Sequence, residues 1–455
     1  MKFRFEGGTV LLDAEQADPV ARAVPGLRWD ARVGAFRAPG SAWPRIRDAL
    51  GATADGIRAG DPVLEGWSTV DLRPYQEAAL MGWELAGRRG IVVLPTGSGK
   101  TTIALAAMAR TGLPTLCLVP TRVLVDQWRR AIRAIWTGPV GQLGDGTRDI
   151  QRITVSTYES AYRTMHAIGD RFELLVVDEV HHFGSGVRDE ALEMSLAGAR
   201  LGLTATPPRE PAALARLAET VGRVVYELAI GDLAGRYLAP FDLVTVRVDL
   251  TAAEAAAYEG WMRQFRPVHG AFVRQAPGAS WKAFLRFAAR VSGGRRALAA
   301  LREAQQLVSY TEGKRAALAD ILRRHRHSRV LIFTSHNQSA YAVAREHLVM
   351  PITCHIGRRE REQVLDRFRR GELRALVSAR VLNEGVDVPD ADVAVVMSGA
   401  MGEREHIQRV GRVLRPGERK RAMVYELVAQ GTTETARARR RRAALASDEI
   451  ADSYP

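Results

Sequence analysis

The sequence predicts an α/β chain built on two parallel sheets, with a small α+β module ahead of them and a helical insertion after the first. Three observations lead there. From about residue 70, short apolar runs at 91–94, 115–119, 153–155, 174–177 and 201–203 alternate with segments of helical period. The same alternation returns at 330–333, 375–377, 393–396 and 423–425. Strands that are apolar on both faces and separated by helices belong to parallel sheets covered on both sides. Between the two series, residues 251–312 read as helical with no strand signal.

Taken in order, residues 1–62 form the module. Runs at 9–12 and 34–37 read as short strands between Gly- and Pro-marked turns, and 43–50 as a short amphipathic helix. The Gly/Asp/Pro-rich stretch 56–62 reads as a linker. Residues 63–240 carry the first sheet and 241–455 the second, with the insertion inside the latter. Trp261, Phe265, Phe272, Trp281, Phe284 and Phe287 are spread through 251–312, beside 9 basic and 4 acidic residues. Two readings stand: a protruding basic insertion, or a helical cap whose aromatics are core. In the module, Arg28, Trp29 and Phe36 either grip a polymer or form the centre of a hairpin.

Composition narrows the class. At 455 residues, 46% hydrophobic and 25% charged, the chain is an ordinary folded protein and not a disordered, collagen-like or coiled-coil one. No apolar run approaches the ~20 residues that span a bilayer, and a charge falls where a signal peptide would be apolar. These features predict a cytoplasmic, intracellular protein with no membrane partner. Cys117 and Cys354 are too few for a disulfide framework or a zinc site and read as buried thiols. The net charge of +14 is uneven. Residues 1–62 hold 9 basic and 8 acidic side chains and 63–240 hold 19 of each, whereas 241–455 hold 37 against 24. A basic second half points to an acidic polymer, nucleic acid first. Arg-rich drift is the alternative, since only five of the 65 basic residues are Lys.

Two segments carry nucleotide chemistry. Leu94-Pro95-Thr96-Gly97-Ser98-Gly99-Lys100-Thr101 lies between an apolar strand and a helical run. In that context backbone N–H groups at a helix start wrap a β-phosphate, Lys100 brings a point charge to the β- and γ-phosphates, and the Thr101 hydroxyl ligates Mg²⁺. The strict pattern begins with Gly, where this chain has Leu94. The strand 174–177 then runs into Asp178 and Glu179. A carboxylate at a strand end beside a phosphate loop anchors Mg²⁺, which suits Asp178, and Glu179 is placed to orient and deprotonate water. The pair His181 and His182 lacks further ligands at metal spacing, and His181 is the better candidate for a coupling residue.

Asp178-Glu179-Val180-His181 resembles the DExH box of superfamily 2 helicases, and the other motifs of that superfamily follow in order. Leu72-Arg73-Pro74-Tyr75-Gln76 resembles the Q motif, which assigns Gln76 to the adenine and Arg73 with it to the ATP site. Pro120-Thr121-Arg122 and Ser156-Thr157-Tyr158 resemble motifs that touch the nucleic-acid backbone, and Thr204-Ala205-Thr206 the motif coupling hydrolysis to domain closure. Phe333-Thr334-Ser335 and the run 383–389, with Gly385 and Asp387 at the nucleotide, follow in the second domain. Last comes 408–415, where Arg412 and Arg415 stand at i and i+3 of a helical run; the resemblance implies that they act as fingers on the γ-phosphate with Gln408 and Arg409 in support.

Within the superfamily the chain is most similar to the XPB family of DNA repair helicases. The match rests on residues 94–101, Asp178 to His182, 200–206, 387–391 and 408–415, and on the order of module, two RecA-like domains and a basic helical thumb at 251–312. The resemblance implies an ATP- and Mg²⁺-dependent helicase or translocase of 3′-to-5′ polarity on duplex and single-stranded DNA. It also implies damage recognition by residues 1–62, a role in repair of the nucleotide-excision type, and a partner nuclease. The family's Arg-Glu-Asp signature appears here as Arg209-Glu210-Pro211, and proline fixes φ and removes a donor. Strand separation is thereby less secure than translocation. An ATP-gated DNA clamp that recruits a nuclease, an RNA helicase, and the motor half of a restriction system remain alternatives.

Overall fold

The computed structural model describes residues 2–51, 57, 60–184, 186–208, 210–228, 241–353, 355–379, 391–397 and 422–446. The chain falls into two compact units, within residues 1–229 and 230–455. No helix among the described residues is long and apolar enough to cross a membrane.

The first unit opens with an antiparallel sheet of strands β1 (Phe3–Glu6), β2 (Thr9–Leu12), β3 (Arg28–Asp30) and β4 (Ala35–Pro39), in the order β1-β2-β4-β3. Gly7 and Gly8, at φ 57° and 79°, supply the two left-handed residues of a tight hairpin. Phe3, Val10, Leu12, Phe36, Trp43 and Ile46 pack beneath. Trp29 meets Phe36 edge-on at 5.4 Å, so that pair belongs to the hairpin.

This module is seated directly on the rest of the first unit. Leu196, far along the chain, completes its core. A Cβ on Gly40 would stand 2.4 Å from the Met194 carbonyl oxygen, and one on Gly8 2.4 Å from Met194 Cγ. The segment behind it is fastened down as well. Val63 N–H donates to Gly112 O at 2.9 Å and Ser68 N–H to Ile135 O at 2.7 Å, and the Trp67 and Trp136 rings lie 4.6 Å apart.

The main sheet of this unit contains β5 (Arg89–Val93), β6 (Thr115–Val119), β7 (Val140–Gly144), β8 (Thr147–Asp149), β9 (Ile153–Thr157), β10 (Leu174–Asp178), β11 (Ala199–Thr204) and β12 (Val224–Glu227), in the order β12-β5-β11-β10-β6-β9-β7-β8. Only β7–β8 is antiparallel. The central strands are buried along their whole length, which is why they read as continuous apolar runs. Arg200 on β11 is fully buried. Its guanidinium donates to the carbonyls of Leu192 (2.9 Å), Ser195 (2.7 Å), Ala197 (2.9 Å) and Thr220, tying the segment that carries the module to β11.

The second unit has a wholly parallel sheet: β13 (Phe241–Val248), β14 (Val330–Thr334), β15 (Met350–Ile352), β16 (Ala375–Ala379), β17 (Val393–Val396) and β18 (Ala422–Ala429), ordered β13-β18-β17-β14-β16-β15. Helices Ala252–Gln275, Trp281–Arg290 and Gly294–Ser309 follow β13. Phe265, Phe272 and Phe284 are buried among them, Trp261 and Phe287 pack at the margin, and Trp281 is half exposed. Most of the aromatics are thus core. The ammonium of Lys314, fully buried, donates to Val308 O (2.7 Å), Met397 O (2.5 Å) and both Glu434 carboxylate oxygens (3.0 and 2.8 Å).

Candidate active site

At the C-terminal end of β5 the chain turns through Leu94–Gly99 into the helix Lys100–Thr111. Leu94 is fully buried, and its N–H donates to Thr204 O at 3.0 Å. The position therefore finishes a strand and does not need glycine. The left-handed residues are Gly97 and Gly99, at φ 86° and 80°, and a Cβ on Gly99 would lie 2.4 Å from Gln76 Nε2. Side chains brace the loop from inside: Ser98 Oγ donates to Pro95 O (2.7 Å), and Lys100 Nζ to Leu94 O (2.9 Å) and Pro95 O (3.2 Å).

A second brace comes from the helix Pro74–Leu85. Tyr75 Oη and Gln76 Nε2 both donate to Ser98 O, at 2.6 and 2.8 Å, while Gln76 Oε1 accepts the Arg73 N–H at 2.9 Å. Gln76, given by resemblance to the adenine, here braces the Leu94–Gly99 loop through Ser98 O, and the Arg73 N–H holds its amide oxygen.

β10 delivers the two carboxylates. Asp178 is buried, with Oδ2 accepting from Trp128 Nε1 (3.0 Å) and Oδ1 from the Glu179 N–H (3.0 Å). Glu179 adopts φ 50° and ψ 49°, a left-handed conformation that costs a residue with a side chain about 1–2 kcal/mol. Such strain concentrates at functional turns. Tyr158 Oη holds this turn by donating to Asp178 O and, at 3.2 Å, to Glu179 O. Burial pushes the Asp178 carboxyl up to about 6, and the Glu179 charge adds to the rise. Burial opposes ionisation of Glu179 too, but His181 and Lys100 outweigh it and hold that carboxyl low.

His181 links this turn to the next strand. Thr204 Oγ1 donates to Thr206 O (3.0 Å) and accepts the Thr206 N–H (3.1 Å), so its proton is spent and His181 Nδ1, 2.9 Å away, is the donor to it. The same Nδ1 lies 3.4 Å from Glu179 Oε2.

Thr96 Oγ1, Glu179 Oε2 and Thr206 Oγ1 are buried with no hydrogen-bond partner among the described residues. They follow β5, β10 and β11, which are neighbours in the sheet. Ligands of open α/β sheets bind beyond these strand ends, and buried polar atoms without partners mark a site its ligand completes. Two carboxylates confined together with hydroxyl oxygens nearby form a hard-oxygen donor set that suits Mg²⁺. A nucleotide phosphate and Mg²⁺ fit the residues present.

The other expected positions divide. Thr121 and Thr157 are N-caps, accepting from Leu124 N–H (3.4 Å) and Ser160 N–H (3.2 Å) at the starts of helices Arg122–Arg133 and Tyr158–Ile168. Arg122 makes an exposed ion pair with Asp145 at 2.6 Å. Thr334, at the end of β14, is fully buried and donates to His336 O at 3.2 Å. Glu210 is exposed, and Pro211 is the first residue of the helix Pro211–Thr220, where a fixed φ and a missing N–H cost nothing. Arg209, Cys354, Gly385, Asp387, Gln408, Arg409, Arg412 and Arg415 lie outside the described residues. Cys117 is buried on β6, and burial pushes its thiol up, with the Asp178 charge adding to the rise. Sequence reading missed Trp128 and the Tyr158 hydroxyl. Trp128 falls on the apolar face of its helix with Leu124, Val125 and Ile132, so nothing but its indole N–H set it apart.

Three families match. Residues 3–63 match the Xeroderma pigmentosum group B helicase damage recognition domain, 69–209 the Type III restriction enzyme res subunit, and 313–417 the helicase conserved C-terminal domain. The chain is similar to the DNA 3′-5′ translocase XPB2 of Sulfurisphaera tokodaii, at 33% identity over 448 residues covering 96% of this chain and 99% of that one. To the DNA 3′-5′ helicase XPB of Mycobacterium tuberculosis it is 31% identical over 84% of this chain, spanning 64% of that longer protein. The crystal structure of the Pyrococcus furiosus Hef helicase domain shares the fold, with a TM-score of 0.54 at 21% identity over 82% of this chain and 98% of that one. With two parallel-sheet RecA-like domains and a relative matched almost end to end, the chain belongs to the XPB family of helicases.

Proposed function

We propose that the chain is an ATP-dependent DNA helicase or translocase that moves 3′ to 5′ and serves DNA repair of the nucleotide-excision type. The observation that carries the nucleotide half is the set of partnerless buried oxygens at three adjacent strand ends around a glycine-turned loop. In this reading Lys100 and the backbone N–H groups of 97–101 hold the phosphates, with Thr96 and Ser98 shaping the loop. Thr101 and Asp178 hold Mg²⁺, which supplies charge neutralisation on the phosphates when bound. Glu179 orients a water for attack on the γ-phosphorus. As the new P–O bond forms and the bond to the β-phosphate oxygen breaks, the water proton passes to the Glu179 carboxylate. His181, Thr204 and Thr206 carry the change to β11.

The rest of the proposal rests on family likeness. Gln408, Arg412 and Arg415 reach the γ-phosphate, with Gly385 and Asp387 at the nucleotide. Thr121, Arg122, Thr157, Arg209, Glu210 and Thr334 contact DNA, residues 1–62 recognise damage, 63–240 and 241–455 are the two helicase domains, and 251–312, within the second, act as the thumb. A nuclease partner belongs to the same reading.

Steady-state ATP hydrolysis of the whole chain, without nucleic acid and with duplex DNA, single-stranded DNA or RNA, tests it. Stimulation by DNA that Lys100→Ala and Glu179→Gln abolish supports the motor. Stimulation by RNA alone overturns the DNA reading, and ATPase without displacement of a triplex strand leaves a clamp.

A further inference from the structure

The Asp178–Glu179 turn does not hold itself. One oxygen of Asp178 is fixed by the Trp128 indole N–H and the other by the Glu179 amide, while the Tyr158 hydroxyl reaches the carbonyls of both residues. An indole has a single donor, and here it is spent on the carboxylate in a fully packed setting: Trp128 and Tyr158 are both buried. Tyr158 is further wedged edge-on against Phe183 at 4.7 Å. The backbone strain at Glu179 is thus sustained by two side chains from outside the strand.

Both side chains come from helices whose first turns are capped by the threonines assigned to DNA. Trp128 sits two turns into the helix that Thr121 caps, and Tyr158 is the first residue of the helix that Thr157 caps. Helix Arg122–Arg133 follows β6 and helix Tyr158–Ile168 follows β9. β6 pairs with β10 on one side and β9 on the other, so a shift of either helix start along its axis is delivered to the carboxylate turn.

We propose that Trp128 and Tyr158 are positioning residues that transmit DNA engagement at the Thr121 and Thr157 helix starts to the Asp178–Glu179 turn. Neither touches nucleotide in this scheme, and each acts through one hydrogen-bonding group. The inference rests on the reading of the chain as a DNA-stimulated ATPase.

The test uses Trp128→Phe and Tyr158→Phe in the whole chain. Tyr158→Phe deletes one donor alone, whereas Trp128→Phe deletes the donor together with part of a buried indole, and the two variants fail independently if one does not fold. Two quantities are measured for wild type and both variants: the ratio of DNA-stimulated to basal kcat, and the factor by which saturating DNA changes the affinity for a fluorescent ADP analogue with Mg²⁺. Because binding linkage is reciprocal, DNA affinity with and without nucleotide must return the same factor. The expected result is DNA affinity without nucleotide within about twofold of wild type, with the stimulation ratio reduced at least tenfold and the linkage factor falling towards 1. A stimulation ratio and linkage factor that stay at wild-type values in both variants overturn the inference, as does an equal fall of basal and stimulated rates. If wild type itself shows neither stimulation nor linkage, the DNA-motor reading fails first.

Discussion

His181 Nδ1 donates across 2.9 Å to Thr204 Oγ1, a hydroxyl that is also the hinge of a tight turn to Thr206. The imidazole is thereby held in its Nδ1–H form beside Glu179. A change in charge at the carboxylate therefore bears on a bond anchored on the neighbouring strand.

Thr204→Val keeps the volume and removes that acceptor. The expected outcome is ATP hydrolysis within about tenfold of wild type and a larger loss of DNA movement, read as triplex-strand displacement per ATP consumed. Equal losses in both assays would make Thr204 a structural residue only.

Asp178 predicts a pH dependence of stability. Its native carboxyl binds a proton more tightly than an unfolded one, about 6 against 3.8. Stability of the metal-free chain therefore falls as pH rises through that window, and the cost is complete above it, at most about 3 kcal/mol. Asp178→Asn, unfolded in EDTA, is expected to gain thermal stability over wild type in full at pH 8 and by only about half as much at pH 5, while losing Mg²⁺-dependent hydrolysis. The same difference at both pH values would remove ionisation as its source.

The buried pair Lys314–Glu434 predicts asymmetric damage in the second unit. Lys314→Met takes the buried ammonium away from Glu434, which also accepts the Ala429 N–H at 3.0 Å, and breaking such a pair costs about 3–5 kcal/mol. The double variant Lys314→Met with Glu434→Leu is expected to recover much of that loss in denaturant unfolding. A double variant as unstable as the sum of the singles would contradict it.

Gly99→Ala is expected to weaken nucleotide binding at least tenfold, because φ 80° strains any Cβ and the methyl meets Gln76 Nε2. Adding Gln76→Ala relieves the collision and not the strain, so rescue is partial. Titration with a fluorescent nucleotide reads both.

Much of this was legible in the residues. β5, β6, β9, β10 and β11 are apolar on both faces and announce themselves, and the loop and carboxylates have fixed spacing. β13 was not foreseen: Asp242, Thr245 and Arg247 interrupt its apolar pattern, as an edge position allows. The tenancy of Gln76 on the loop and the aim of the Trp128 indole depend on partners 22 and 50 positions away, which no local period encodes. Within the stretch 56–62, which read as a linker, the Asp61 carbonyl oxygen accepts from the Arg152 guanidinium, a tie across 91 positions that no local pattern encodes. The excess of arginine suggested surface charge, yet Arg200 is wholly internal, satisfied by carbonyls alone.

The seat of the N-terminal module makes it hard to detach. Gly8, Gly40 and Gly169 each approach Met194 closer than any Cβ permits, and Leu196 is shared with the module's core. A chain begun after residue 62 would uncover an apolar socket on the very segment that Arg200 ties to β11, so trimming is a wound to the engine and not the removal of an accessory.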